Sequence, residues 1–227
     1  DLDLRLQDLR AAVAKEIPEG EGFVANPHRT WREVNAKLPA VPIRVALPAE
    51  DADSRTFFDE RFLVAACRRI PKLRAIFDAN ERVKKCITLR DDGVIVDLPE
   101  LHGPAVRAAL EAAPRGTVAV LPMAVADELA SVVKLLPVDG VPPSPTTIAA
   151  RSYPFIQPLF VYVKRLHIKD YLGRGAVHGL RELITELTRE DTIGPDGYLV
   201  PEGLVPMLEA RRTAIRDRAL RLENMER

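Results

Sequence analysis

The sequence is poor in aromatic residues and carries no excess of charge of either sign. Aromatic residues make up 5% of the 227 residues, and 33 Lys and Arg residues are balanced by 33 Asp and Glu residues. Nucleic-acid-binding domains usually carry a basic excess, and proteins that bind single strands need aromatic faces on which bases stack. The composition therefore argues against a nucleic-acid partner.

Long apolar runs are also missing. No run of 18 or more apolar residues occurs, so the sequence contains no candidate transmembrane segment. The chain starts at Asp1 without Met and without a signal peptide, which suggests a processed or partial product. Because 47% of the residues are hydrophobic, we expect a folded protein rather than a disordered one.

The motifs of common catalytic and cofactor sites are absent as well. The sequence has no G-x-S-x-G, no P-loop, no H-E-x-x-H and no G-x-G-x-x-G. No C-x-x-C is present and no His lies at ligand spacing from a Cys, so zinc is not expected. Asp51 and Asp53 could form a carboxylate pair, but an acidic loop before a helix N-terminus explains them better. We therefore predict a protein that is not an enzyme and that uses no cofactor and no metal.

The sequence has two cysteines, Cys67 and Cys86. A bond between them would close a loop of about 20 residues and, in the chain-entropy model, add about 3 kcal/mol of stability. The spacing alone leaves two alternatives open, a disulfide or two separate buried thiols.

Short strand and helix patterns alternate along the chain, which is interrupted by 19 prolines. Strand patterns occur at 43–47, 94–96, 117–121, 133–138 and 160–163, and the last of these (FVYV) is the strongest. Helix patterns occur at 56–69, 72–85, 104–113, 177–188 and 207–222. This alternation predicts an α/β sheet layered with helices.

Several segments, taken in order, resemble one known family. They are residues 138–154 (VDGVPPSPTTIAARSYP), 158–164 (PLFVYVK), 179–183 (GLREL) and 194–199 (GPDGYL). Weaker matches upstream include Ala25-Asn26-Pro27 and the stretch that starts at Thr30-Trp31. Together they resemble the periplasmic phosphate-binding proteins of ABC importers, the PstS family, over essentially the whole chain.

The resemblance implies a type II periplasmic-binding-protein fold, in which two α/β lobes close on an oxyanion. On this basis we expect residues 1–150 to form a fairly complete α/β second lobe and 151–164 to form a hinge strand. Residues 165–227 would then be a C-terminal helical remnant of the first lobe. The resemblance also implies export to the periplasm, which favours a Cys67–Cys86 disulfide.

The sequence departs from the family at the phosphate motif. The family binds phosphate with S-G-T-R at a helix N-terminus, where hydroxyls, backbone amides and an Arg suit a tetrahedral anion. Here the aligned residues are Ala52, Asp53, Ser54 and Arg55. Ser54 and Arg55 keep usable donors, Ala52 lacks the hydroxyl, and Asp53 places a carboxylate where the anion would sit.

Two further departures concern other parts of the family pattern. Ile156 and Gln157 replace the family's Ser-Arg pair. No equivalent of the family's opening strands, with their T-G-S-S-T loop, precedes Asp1, so that segment is either outside this sequence or lost.

Three hypotheses for function follow. In the first, the protein has lost or weakened phosphate binding and serves as a protein–protein interaction module of the cell envelope. In the second, it is a functional phosphate-binding protein. In the third, for which no constellation of residues was found, it is an enzyme.

The helix pattern at 177–188 adds a candidate interface. Four apolar residues share one of its faces, namely Leu180, Leu183, Ile184 and Leu187. Without the opening strands of the first lobe, we expect this stripe to be covered by another chain, by packing on the second lobe, or by an upstream segment.

Overall fold

The computed structural model describes residues 2–99, 104–164, 167–168 and 177–223. The chain divides into two compact units, Asp1–Pro143 and Ser144–Arg227, each of which is described by itself below. The boundaries expected between a second lobe, a hinge and a helical remnant differ slightly from this division, and the assignment of these parts to lobes stays a prediction.

The first unit contains both sheets of the described part of the chain. Its elements are α1 (Leu6–Val13), β1 (Glu16–Glu19), β2 (Gly22–Ala25), α2 (Trp31–Val34), β3 (Arg44–Leu47), α3 (Asp53–Phe57), a π-helical segment (Phe58–Leu63), α4 (Val64–Cys67), α5 (Pro71–Arg74), α6 (Ala79–Ile87), β4 (Ile95–Asp97), α7 (Pro104–Glu111), β5 (Thr117–Ala119) and α8 (Met123–Glu128).

Three parallel strands form the sheet that organises this unit, in the order β4-β3-β5. Val45 of β3 lies opposite Ile95 of β4 and Val118 of β5. Residues 45–47 of the central strand are buried, as expected for a strand of a parallel sheet covered by helices. The strands predicted at 43–47, 94–96 and 117–121 are thus confirmed, with ends shifted by one or two residues.

The helix predicted at 56–69 starts earlier, at Asp53, and contains a π-helical segment. Residues 53–67 run continuously through α3, the π-helical segment and α4. Phe58 and Phe62 stack with ring centroids 5.2 Å apart, and both are buried together with Leu63. These side chains pack the long helix into the core, where it contacts α1.

A disulfide joins Cys67 in α4 to Cys86 in α6, with Cα atoms 6.0 Å apart. Its sulfur atoms and Leu73 are the centre of a small apolar cluster. The predicted pairing is confirmed. The helix predicted at 72–85 is wrong as one element, because α5 and α6 are separated by a turn at 75–78.

An antiparallel hairpin follows α1, in a stretch for which no strand was predicted. β1 pairs with β2 so that Glu16 lies opposite Ala25. The buried Asn26 follows the hairpin and fastens it to α1, because its side-chain amide donates to the carbonyls of Ala11 and Ala14 at 2.7 and 2.8 Å.

The beginning and the end of the first unit lie side by side. Leu4 forms an isolated parallel bridge with Val138, and the amide of Asp139 donates to the carbonyl of Leu4 at 2.9 Å. The Asp139 carboxylate also accepts from the amide of Leu6 and from Arg69. The strand predicted at 133–138 is wrong beyond the isolated bridges of Val138 with Leu4 and with Val141.

The regular elements described in the second unit are helices. Its helices are α9 (Pro145–Ala149), α10 (Leu180–Glu186), α11 (Glu190–Ile193) and α12 (Glu209–Leu220). The buried Arg212 of α12 donates to the carboxylate of Glu190 at 2.8 and 3.1 Å, and so ties α12 to α11. Thr192 is fully buried and donates to the carbonyl of Glu186 at 2.7 Å.

The strongest strand prediction, 160–163, is wrong in the described structure. The segment has no strand assignment, and no backbone hydrogen bond joins residues 156–163 to any other described residue. The four consecutive side chains of residues 159–162 are exposed, from 59% for Phe160 to 79% for Leu159, and Val163 is half-buried. High strand propensity was present, but a strand also requires a partner, and the described chain supplies none.

Candidate ligand site at the carboxyl edge of the sheet

The candidate site lies where the parallel strands of the first unit end. The loop at 48–52 follows β3, Asp97 ends β4, and residues 120–122 follow β5. The chain goes from β3 to β4 on one side and then returns to β5 on the other side of β3. Crevices at such a reversal, outside the carboxyl ends of the strands, are the usual ligand sites of open α/β sheets.

The predicted motif residues are contiguous at this edge. Ala52 precedes α3 in an extended conformation and offers no side-chain cap to the helix. Asp53 is the first residue of α3 and is exposed, Ser54 is half-buried and Arg55 is buried. The local sequence thus brings two donors and one carboxylate to the first turn of the helix.

Arg55 is held by groups of the protein itself. Its side chain is 9% exposed, and its Nε donates to both carboxylate oxygens of Asp59 at 3.2 and 3.3 Å. Its Nη1 donates to the carbonyl of Pro48 and to the carboxylate of Asp97, both at 3.1 Å. Two carboxylates therefore neutralise the one cation of the motif.

Asp59 contributes the more buried of these carboxylates. It lies in the π-helical segment, one turn after Arg55, and π-helical turns are often found at functional sites. Burial raises the pKa of Asp59, while the adjacent Arg55 opposes the shift, and Glu50 and Glu60 add to the rise. Arg55 is therefore the group that stabilises the charged form of this partly buried carboxyl.

Further carboxylates surround the same edge. Glu50, Asp51 and Asp53 are exposed in the loop and in the first turn of α3. With Asp59 and Asp97 they outnumber the single guanidinium of Arg55. The local charge is thus negative, which is unfavourable for an oxyanion and differs from the donor-rich site that the family motif implies.

The remaining predicted ligand-site and interface residues belong to the second unit. Ile156 is half-buried and Gln157 is exposed, and both belong to the second unit. The stripe on α10 also belongs to the second unit. Leu183 is 48% exposed, while Leu180, Ile184 and Leu187 are half-buried.

Asp59 and Asp97 were missed by sequence reasoning. Asp59 follows Arg55 at i,i+4, a spacing at which helical side chains meet, so the signal was present. Asp97 was harder to find, because its contact with Arg55 depends on the pairing of Leu47 with Asp97 across β3 and β4.

Neither a metal centre nor a membrane span is found among the described residues. No group of three or more His, Cys, Asp or Glu side chains in this part of the chain could hold a metal ion. Within the same residues, every helix is too short or too polar to cross a lipid bilayer.

Two solved structures resemble this chain. A possible phosphate-binding protein from Planctomyces limnophilus matches with a TM-score of 0.60 and 17% identity, over 98% of this chain and 65% of its own. PstS from Borrelia burgdorferi matches with a TM-score of 0.45 and 15% identity, over 68% of this chain and 49% of its own. No family model and no curated protein matches the chain.

The first of these matches confirms the fold that the sequence resemblance implied. It extends over nearly the whole chain, and it includes the α/β first unit. The chain spans about two thirds of the length of that protein, so the resemblance covers a part of it.

Proposed function

We propose that this chain is a non-enzymatic, PstS-like member of the solute-binding proteins in which phosphate binding is lost or weakened. The observation that carries the proposal is the pairing of Arg55 with Asp59 and Asp97. The guanidinium that the family motif offers to an anion is here satisfied by internal carboxylates. The role left to the protein is that of an interaction or structural subunit of a cell-envelope complex.

Coulomb repulsion supports the loss of phosphate binding. An anion that reached Arg55 would approach the carboxylates of Asp59 and Asp97, which already bind that side chain. Two like charges about 4 Å apart repel by about 4 kcal/mol at the effective dielectric of a protein surface. Asp53, at the start of α3, would add to this repulsion, and we expect it to be the main obstacle among the four motif residues.

The exposed apolar segment at 159–163 supports the interaction role. Four consecutive large apolar side chains are exposed there, and the backbone groups have no partner in the described chain. Extended segments of this kind bind a second strand by main-chain hydrogen bonds, with alternate side chains giving specificity. The stripe of Leu180, Leu183, Ile184 and Leu187 is a second candidate surface for a protein partner.

A periplasmic location fits the same proposal. The Cys67–Cys86 disulfide is the kind of bond that persists in oxidising compartments and is rare in the cytosol.

The alternative function is phosphate binding for an ABC importer. Ser54 and Arg55 favour it, since both donors lie at the carboxyl edge of a parallel sheet. The structural neighbour from Planctomyces limnophilus, a possible phosphate-binding protein, supports the same alternative.

Calorimetric titration with inorganic phosphate distinguishes the two functions. We expect little or no heat of binding for the unaltered chain, and clear binding by the variant Asp59→Asn/Asp97→Asn, in which Arg55 is released. Adding Arg55→Gln to that variant should abolish the gain. Asp53→Gly should improve affinity more than Ala52→Ser, because it removes a repulsive charge. Tight binding by the unaltered chain would contradict the proposal and favour the importer function.

A further inference from the structure

A fully exposed phenylalanine lies at the tip of the helical hairpin made by α5 and α6. Phe77 lies in the turn at 75–78, and no part of its side chain is covered. The preceding residue, Ile76, packs on the apolar cluster around the disulfide. Phe77 therefore points away from a core that lies directly behind it.

The turn that presents Phe77 is well fixed. The carboxylate of Asp78 caps α6 by accepting from the amide of Glu81 at 2.7 Å. Arg82 donates to the carbonyl of Ile76 at 2.8 Å. The disulfide between Cys67 and Cys86 ties α6 to α4 at the base of the hairpin. The aromatic side chain is thus held out on a rigid support.

Positive charge is concentrated on the same hairpin. Residues 68–85 contain seven Lys and Arg side chains but two acidic ones, in a chain whose formal net charge is zero. Four of the seven have partners: Arg69 binds Asp139, Lys85 binds Glu16, and Lys72 and Arg82 donate to backbone carbonyls.

Three cations of the hairpin remain available for a partner. Arg68, Arg74 and Lys84 are exposed and form no ion pair with any described residue. Both acidic residues lie in the first turn of α6 or at its cap, where Asp78 is already engaged by the helix. The free charge on residues 68–85, which we call the basic hairpin, is therefore positive.

We propose that the basic hairpin docks on an anionic lipid surface, with Phe77 inserted at the level of the headgroups. Lys and Arg side chains near such a surface are attracted by its negative potential, and an aromatic side chain lies favourably at the interface. Stable attachment to a membrane surface usually takes two signals, such as an apolar anchor and a basic patch, and this hairpin carries both.

The shape of the hairpin favours lipid over an acidic protein. A protein partner would need a pocket to receive a side chain that protrudes completely, whereas a bilayer surface accepts a protruding ring without a preformed pocket. The three cations that form no ion pair with described residues lie on the same hairpin as Phe77. A membrane surface, whose negative charge is spread over many headgroups, can attract all three at once.

Co-sedimentation of the full chain with lipid vesicles tests the proposal. We expect binding to vesicles of phosphatidylcholine and phosphatidylglycerol, little binding to phosphatidylcholine alone, and loss of binding at high salt. Phe77→Ala should weaken binding to the anionic vesicles about tenfold, which corresponds to removal of one inserted aromatic side chain. Replacing Arg68, Arg74 and Lys84 together by Gln should weaken it at least as much.

Matched controls separate this hairpin from other surfaces. Phe160→Ala removes an exposed phenylalanine of the second unit, and replacement of Arg115, Arg211 and Arg216 by Gln removes three exposed cations elsewhere. Both control variants should bind the anionic vesicles like the unaltered chain. Absence of binding to anionic vesicles, or equal losses in the test and control variants, would overturn the proposal. Binding to an acidic polypeptide or to DNA but not to vesicles would overturn it as well.

Discussion

Arg90 connects three parts of the first unit through one guanidinium. The side chain is buried, and it donates to the carbonyls of Ala12 and His28 at 3.2 and 2.9 Å. It also binds the carboxylate of Asp92, which pairs with Arg29 on its other side. The two arginines hold the pKa of Asp92 well below its ordinary value.

Asp92→Asn should lower the stability of the first unit in a pH-dependent way. Because the folded state lowers the pKa of Asp92, the carboxylate stabilises the protein above its unfolded pKa of about 4, and this contribution is lost as the pH falls below it. We expect a loss of about 1 kcal/mol at pH 7, a modest value because the Asp92 side chain is 31% exposed and Arg29 is more exposed.

Urea unfolding at pH 7 and at pH 3 measures this effect. The difference in the free energy of unfolding between Asp92→Asn and the unaltered protein should be smaller at pH 3 than at pH 7. Asp91→Asn is the control, since Asp91 is 82% exposed and pairs with an exposed lysine, and it should change little at either pH. An equal difference in the free energy of unfolding at both pH values would contradict a stabilising role of the charged Asp92 carboxylate.

At the scale of single residues, the sequence predicted the donors of the candidate site but not their partners. Ser54 and Arg55 could be found because a family motif aligns with them. The carboxylate of Asp97 could not, because its position beside Arg55 follows from strand register, which a sequence pattern does not specify.

Among the elements, the turn after α11 depends on a glycine for steric reasons. A Cβ atom at Gly197 would lie 2.5 Å from the carbonyl oxygen of Thr192 and 3.0 Å from the amide nitrogen of Gly194. Both neighbours are backbone atoms, so they cannot move aside without disturbing the turn. The amide of Gly197 also donates to the carbonyl of Gly194 at 3.0 Å.

Gly197→Ala should therefore destabilise the second unit by about 1–3 kcal/mol, the usual cost of overpacking. Limited proteolysis at the 194–199 turn and thermal unfolding both report this change. Gly22→Ala is the matched control, because a Cβ there meets no atom within 4 Å. Equal stability of the two variants would show that the turn adapts.

The disulfide is the other element-scale constraint that can be tested directly. Reduction of the Cys67–Cys86 bond should lower the free energy of unfolding by about 3 kcal/mol, because a loop of about 20 residues is released in the unfolded chain. Urea unfolding with and without reductant measures the loss. The double variant Cys67→Ala/Cys86→Ala should not respond to reductant. Two reactive thiols in the unfolded, unreduced protein would contradict the bond.

Prediction of elements succeeded where a strand has its partners within the chain. The pattern at 43–47 gave β3, whose neighbours β4 and β5 are both supplied by the first unit. The stronger pattern at 160–163 gave no strand, because propensity measures how well residues fit into a sheet and not whether a sheet is present. The β1–β2 hairpin was missed because its two strands have partners but low strand propensity. Pro18, Gly20 and Gly22 make its sequence resemble that of a loop.

At the scale of the whole molecule, the exposed segment at 159–163 affects behaviour in solution. Five adjacent residues of high strand propensity and no charge, without backbone partners, are a template for pairing with other chains. We expect the purified chain to associate increasingly as its concentration rises.

Val161→Lys should suppress this association without changing the fold, because Val161 is 61% exposed and a charge opposes edge-to-edge pairing. Static light scattering over a concentration series measures the effect. Val177→Lys is the control, since Val177 is 51% exposed and lies outside the segment. Similar reductions by both variants would mean that general solubility, and not this segment, controls association.

The closeness of the two ends of the first unit has a consequence for how such a protein can be rearranged. Leu4 and Val138 form a β-bridge, so the two ends of the described unit lie next to each other. A domain with adjacent ends can be inserted into a loop of a host protein, or circularly permuted, with little disturbance of its core. The described part of the first unit therefore has the adjacent ends that insertion into a host loop requires, and a permuted form could be opened at the β1–β2 turn.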